Sequence, residues 1–111
     1  MAEAETITTL TAMMRGHQSR IEELKPFFAE DVERLYRVYE EDTGASAICR
    51  DILRIVHMKR GNIDPTEMFR LDFDNKAAAL RLIELAASPF ELSDDGLAGI
   101  LTPTQIQNLL S

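Results

Sequence analysis

The segment NKAAALRLIELAAS at residues 75–88 decides the fold that this sequence predicts. Alanine, leucine and isoleucine fill most of its positions, so a helix formed here is apolar on nearly every side. A helix of that kind is buried at the centre of a domain. Arg81 and Glu84 interrupt the apolar run, which is shorter than the roughly 18 residues that a membrane-spanning helix needs. We therefore predict a central helix over about 75–87.

Helical periodicity continues from this segment towards both ends of the chain, and no segment shows the alternation of a strand. The predicted fold is all-α: a single domain over residues 1–111, built as a compact bundle of five to seven helices. The first two helices are expected to form a hairpin-like pair. Besides the N-terminal and central helices, the predicted helices lie at residues 26–44, 46–60, 64–71, 92–101 and from 102 onward.

Several polar residues mark the expected helix boundaries. Asp64 precedes Pro65 and should cap a helix, with Glu67 reaching back to complete a capping box. The predicted caps of the later helices are Asp74, Ser93 and Thr102. Thr102 is followed by Pro103 and by Gln105 at the capping-box spacing, and Gly44 is a predicted stop for the second helix.

The N-terminal segment, residues 6–25, carries a heptad pattern of apolar positions. Its members are Ile7, Leu10, Met14, His17, Ile21 and Leu24. Gly16 should bend or break this helix, and Ser19 with Glu22 could cap a new start. The stripe packs either on the second helix or on another chain. The candidate partner-binding residues here are Leu10, Met13 and Met14, because methionine adapts to varied apolar surfaces.

Positive charge gathers on the third predicted helix, within CRDILRIVHMKRGN at residues 49–62. Its apolar positions face one way and its cations mostly the other. The simplest explanation is a solvated face with cations at the negative end of the helix dipole. The alternatives are contact with an acidic protein or with a phosphate backbone. These candidate partner-binding residues are Arg50, Arg54, His57, Lys59 and Arg60.

The composition of the chain argues against some classes of binding function and suggests a cellular compartment. With 19 acidic and 12 basic residues the net charge is −7, which argues against general binding to nucleic acid or anionic membranes. The lone cysteine, Cys49, lies beside the apolar face of its helix and is expected to be a buried, inert thiol. No intramolecular disulfide can form and no leader is evident, so we expect a cytoplasmic protein.

No enzyme, cofactor or metal motif is apparent. The sequence lacks a Gly-rich phosphate loop and a nucleophile elbow, and His17 and His57 stand forty residues apart. We therefore expect a non-enzymatic, protein-binding regulator of the inhibitor, immunity or adaptor type. It would act by occupying a surface of a basic partner, as a homodimer. The alternative is a dimeric nucleic-acid-binding regulator that uses the basic stripe of the third helix.

Overall fold

The computed structural model describes the backbone of residues 2–88 and 96–111, with their side chains except at positions 2–10, 14, 17 and 96. The α-helices are α1 (Ala2–Leu24), α2 (Phe28–Glu40), α3 (Ser46–Met58), α4 (Phe73–Ala86) and α5 (Pro103–Leu110). Short 3₁₀ helices cover Lys25–Phe27, Pro65–Arg70 and Gly96–Gly99. These ranges contain no strand, so the predicted all-α class is confirmed.

The core lies where α2, α3 and α4 pack against one another. Each helix contributes apolar side chains at the helical spacing, and full burial of one leucine or isoleucine contributes roughly 1.5–3 kcal/mol. Leu35, Ile52, Leu53 and Leu82 are completely buried there. At one edge the Tyr36 and Tyr39 rings of α2 lie 5.5 Å apart, and the Tyr39 hydroxyl donates to the Asn108 carbonyl at 3.1 Å. That hydrogen bond ties α5 to α2.

The predicted central helix exists as α4, and it packs on α1, α2 and α3. It begins at Phe73, because Asp72 rather than Asp74 is its cap. Asp72 has an extended backbone, and its carboxylate accepts from the Asn75 amide at 2.8 Å. Burial is not uniform around the helix: Leu80 is 54% exposed. The side chains on its buried face are Ala78, Ala79, Leu82 and Leu85.

Two helices end earlier than predicted, and each is followed within two residues by a residue with positive φ. The third helix stops at Met58 instead of Arg60, because Lys59 is left-handed (φ 58°) and its amide donates to the Ile55 carbonyl at 2.8 Å. The second helix stops at Glu40, and the left-handed residue that follows it is Asp42 (φ 52°), two positions before the predicted stop at Gly44.

The N-terminal helix runs through Gly16 without a break, so the predicted interruption and the Ser19 cap are wrong. A single glycine costs only about 1 kcal/mol in a helix, which its neighbours can offset. Pro26 lies in the 3₁₀ turn that follows α1, one turn before α2 begins. The hairpin-like pairing of the first two helices is not confirmed, since the described side chains of α1 that precede Ile21 are exposed.

Two of the predicted caps are confirmed. The Asp64 carboxylate accepts from the Thr66 amide at 3.0 Å, although the helix it opens is 3₁₀ and Glu67 pairs with Arg70 instead of reaching back. Thr102 forms the complete capping box of α5: its hydroxyl accepts from the Gln105 amide at 3.2 Å, and its amide donates to the Gln105 side chain at 2.8 Å. The proposed Ser93 cap lies outside the described residues.

Candidate functional site

The basic stripe of α3 is partly engaged within the chain. The Arg54 guanidinium donates to the Leu109 carbonyl and, at 3.1 Å, to the Ser111 carbonyl. These contacts satisfy carbonyl groups at the end of α5 that lack helical partners. Arg50 lies beside Asp51, with Nε 3.4 Å from the carboxylate oxygen. Arg54 therefore links α3 to the C-terminal end of α5 through hydrogen bonds within the chain.

The remaining residues of the stripe lie at the end of α3. His57, Lys59 and Arg60 are exposed. Arg54 and Arg60 border an open cleft of about 310 Å³, with the Asp51 carboxylate among its walls. The other lining residues are Ile55, Met58, Gly61 and Asn62. The cleft thus mixes both signs of charge with apolar surface, which does not resemble a uniformly cationic phosphate site.

The heptad stripe of α1 is divided between the core and solvent. Ile21 and Leu24 are buried, and they form a small apolar cluster with Leu85 of α4 and the partly buried Phe28. Met13 is 56% exposed. Leu10 and Met14 lie within α1, but their side chains are among those not described. Among the described side chains of α1, those buried against the rest of the chain therefore lie in its C-terminal turn.

An exposed ion pair joins α1 to α4. Arg20 donates to both carboxylate oxygens of Glu84 on α4, at 2.8 and 3.0 Å, and to Glu23 at 3.0 Å. The hydrogen bonds from Arg20 hold the pKa of the Glu84 carboxyl below its usual value. Solvent screens such a pair strongly, so it orients α1 more than it stabilises the fold.

Two phenylalanines that the sequence analysis did not select are the most exposed large apolar side chains described. Phe69 is 70% exposed and Phe73 is 85% exposed. They lie on either side of the turn that joins the Pro65–Arg70 helix to α4. The Arg70 guanidinium lies 5.0 Å from the centre of the Phe69 ring. Their exposure could have been predicted from the neighbouring apolar residues, because Met68 and Leu71 are the ones buried in this turn.

We call residues 64–74 the aromatic corner. Phe73 follows Phe69 by four positions, so their Cα atoms lie within about 14 Å of each other. The exposed carboxylates of this segment belong to Asp64, Asp72 and Asp74. Hydrogen bonds from Thr66 lower the pKa of Asp64, which keeps that carboxylate charged. The aromatic corner thus combines apolar rings with negative charge.

Cys49 is fully buried on α3, as predicted for an inert thiol. Burial, assisted by the nearby Glu41 carboxylate, raises its pKa to about 12. The nucleophilic thiolate is therefore negligible at neutral pH.

Among residues 2–88 and 96–111, no three His, Cys, Asp or Glu side chains are grouped so that they could hold a metal ion. No described helix combines the length and apolarity needed to cross a bilayer. Comparison with protein-family models, curated proteins and solved structures gave no significant match. The function has to be inferred from the surfaces of this chain.

Proposed function

We propose that this protein is a non-enzymatic regulator that binds a basic partner protein and blocks the surface it covers. The observation that carries the proposal is the exposure of Phe69 and Phe73 on one short turn. Phenylalanine is enriched in the buried centres of interfaces. Complete burial of one such ring contributes roughly 1.5–3 kcal/mol, so two rings supply a useful part of a binding free energy.

The aromatic corner is held in place before any partner arrives. Met68 and Leu71 are buried beneath it, and Asp64 and Asp72 cap the helices at its two ends. A turn fixed in this way loses little conformational entropy when it binds. This pre-organisation supports the aromatic corner as a binding element.

Charge supports a basic partner. Asp64, Asp72 and Asp74 are exposed in the same segment as the rings, where Arg70 is the one basic residue, and the chain as a whole carries a net charge of −7. Complementary charge speeds the encounter and disfavours acidic competitors, while the rings supply affinity. The partner surface should therefore offer apolar pockets flanked by lysine or arginine. The single buried cysteine suits a reducing compartment such as the cytoplasm.

The proposal is tested by quantitative capture with a matched pair of variants. Phe69→Ser/Phe73→Ser removes both rings of the aromatic corner. Met58→Ser/Leu110→Ser removes two exposed apolar side chains elsewhere. We expect a basic protein that wild type and the control variant retain in stoichiometric amount and that the Phe69→Ser/Phe73→Ser variant loses. Purified, that protein should bind less tightly as salt rises.

Equal capture by all three proteins, with each shown to be folded, would refute the aromatic corner as the binding site. Salt-dependent binding of duplex DNA, lost in Arg60→Glu and kept in Phe69→Ser/Phe73→Ser, would instead favour the nucleic-acid-binding alternative. That function would use His57, Lys59 and Arg60 at the exposed end of α3.

A further inference from the structure

A second open cleft lies at the C-terminal end of α2, on a part of the surface that the proposed function does not use. Its volume is about 510 Å³, which is within the range of small-ligand sites. None of the described residues that line it is basic, and two of them are carboxylates. The lining residues are Tyr36, Tyr39, Glu40, Asp42, Asn108 and Ser111.

Two tyrosines supply the aromatic part of this cleft. Their rings lie 5.5 Å apart and are tilted by 59°. The Tyr39 hydroxyl is already bonded to the Asn108 carbonyl at 3.1 Å. Tyr36 is only 4% exposed, and among the described residues its hydroxyl has no hydrogen-bond partner. Hydroxyls of side chains buried to this degree ordinarily have a partner, so the Tyr36 oxygen points to a ligand.

The Tyr36 hydroxyl is accessible to such a ligand. Every fully buried side-chain nitrogen or oxygen of the described residues has a hydrogen-bond partner. The unpaired Tyr36 hydroxyl is therefore not fully buried, and the surface that Tyr36 lines is this cleft.

The electrostatics of the cleft favour a cation. Glu40 and Asp42 are exposed, and their Cα atoms lie within about 8 Å of each other because they are two positions apart. α2 ends at Glu40, so the negative end of its dipole lies here as well. α5 also ends at the cleft, but Arg54 already bonds the carbonyls of Leu109 and Ser111. The attraction for a further cation therefore comes from α2 and the turn that follows it.

We propose that this cleft binds an organic ammonium group with N–H donors, carried either by a free polyamine or by a lysine side chain. The carboxylates pair with the positive charge, while the tyrosine rings attract the cation and pack on its methylene groups. The Tyr36 hydroxyl accepts one of the N–H groups. A metal ion is a poorer fit, because the described part of the chain groups no three His, Cys, Asp or Glu side chains to hold one.

The first experiment titrates the isotope-labelled full chain with spermidine at low salt and follows the backbone amide signals by NMR. We expect saturable shifts centred on residues 36–42 and 108–111. No saturable shift, or shifts spread evenly over the acidic surface, would overturn the proposal.

A matched pair of variants tests the role of charge. Glu40→Gln/Asp42→Asn should weaken spermidine binding by at least about tenfold, because both charged acceptors are lost. Asparagine tolerates the left-handed backbone at position 42 (φ 52°), so this variant should keep the fold. Glu22→Gln/Glu33→Gln removes the same charge from exposed positions outside the cleft and should bind as wild type does. Equal binding by both variants would contradict the assignment.

Tyr36→Phe tests the role of the hydroxyl. It keeps the ring and removes the oxygen, so binding of a lysine blocked at both backbone ends should weaken several-fold. Binding of tetramethylammonium, which has the same charge and no N–H, should not change. If both ligands lose affinity equally, the hydroxyl does not accept an N–H of the ligand.

The same probes distinguish the two sources of the ammonium group. Spermidine that binds much more tightly than blocked lysine indicates a free polyamine, whereas similar affinities indicate that the single ammonium group of a lysine side chain is sufficient. Tetramethylammonium that binds as tightly as blocked lysine would overturn the preference for N–H donors. The Phe69→Ser/Phe73→Ser variant should bind spermidine as wild type does, so failure of the aromatic corner and failure of this cleft are distinguishable.

Discussion

The N-terminal arm of α1, by which we mean residues 2–20, and the helix α4 both carry regular apolar patterns, yet their surroundings differ. On α4 the side chains of Ala78, Ala79, Leu82 and Leu85 are completely buried. On α1 the described side chains before Ile21 are exposed, Met13 among them. An apolar pattern thus identifies the face of a helix that avoids water. It does not identify what covers that face, which for α4 is another part of the chain.

The largest expected contrast comes from truncating one side chain in each helix. Leu82→Ala on α4 should lower the free energy of unfolding by about 2–5 kcal/mol, because it removes a buried side chain and leaves a cavity. Met13→Ala on the arm should leave the unfolding of the core within about 0.5 kcal/mol of wild type. Urea titrations followed by tyrosine fluorescence measure both. Equal losses would mean that the arm is as much a part of the core as α4.

Two ion pairs of α4 sharpen the same contrast. Arg81 donates to both oxygens of Asp31, at 2.7 and 2.8 Å, and the Asp31 side chain is only 2% exposed. Arg81→Met leaves this carboxylate buried without its counter-charge and should cost about 3 kcal/mol. Arg20→Met breaks the exposed pair between α1 and Glu84 and should cost far less. Chemical denaturation measures both losses of stability, and a larger loss in Arg20→Met than in Arg81→Met would contradict this expectation.

A smaller effect on stability is expected from replacing the glycine within the arm by alanine. Apart from the adjoining residues and the backbone of the helix itself, no atom lies within 4 Å of the position that a Cβ on Gly16 would occupy, so Gly16→Ala meets no clash. The substitution should stabilise the helix by about 1 kcal/mol. If the arm unfolds separately from the core, hydrogen exchange of the arm should slow while the unfolding midpoint of the core stays the same. A rise in the core midpoint alone would show that the two regions unfold together.

The smallest effect concerns pH. Arg20 depresses the pKa of Glu84 in the folded protein below the ordinary value of 4.5. Because the folded pKa is the lower one, the contribution of this pair is fully present above pH 4.5 and is lost as the pH falls through the folded value. The stability difference between wild type and Arg20→Met should therefore shrink on acidification. A difference that grows as the pH falls would exclude this role for the pair.

Local signals in the sequence were sufficient for the helical class, for the caps at Asp64 and Thr102 and for the burial of Cys49. Each depends on residues within one or two helical turns. Where two nearby residues could both cap a helix, the sequence did not show which one does. Asp72 and Asp74 are both competent caps, and the backbone conformation of Asp72 decides between them. Gly16 does not interrupt α1, because the free-energy cost of one glycine within a helix is small.

The interactions of the basic stripe were harder to predict because they depend on contacts distant in sequence. Arg54 meets the carbonyls of α5 more than fifty residues away, and no helical periodicity reveals such a contact. The exposure of the two phenylalanines was not predicted, because a large apolar residue is ordinarily expected to lie in the core. The roles in partner binding proposed for Leu10, Met13, Met14 and the α3 cations remain predictions.

The placement of Tyr36 and Tyr39 has a practical consequence for spectroscopy. The chain has only these two tyrosines and no tryptophan, and both tyrosines lie on α2. Intrinsic fluorescence therefore follows the packing of α2 and is insensitive to melting of the distant arm, whereas far-ultraviolet circular dichroism detects both. Heating curves from the two methods should separate if the arm melts first, and superimpose if the molecule unfolds in one step.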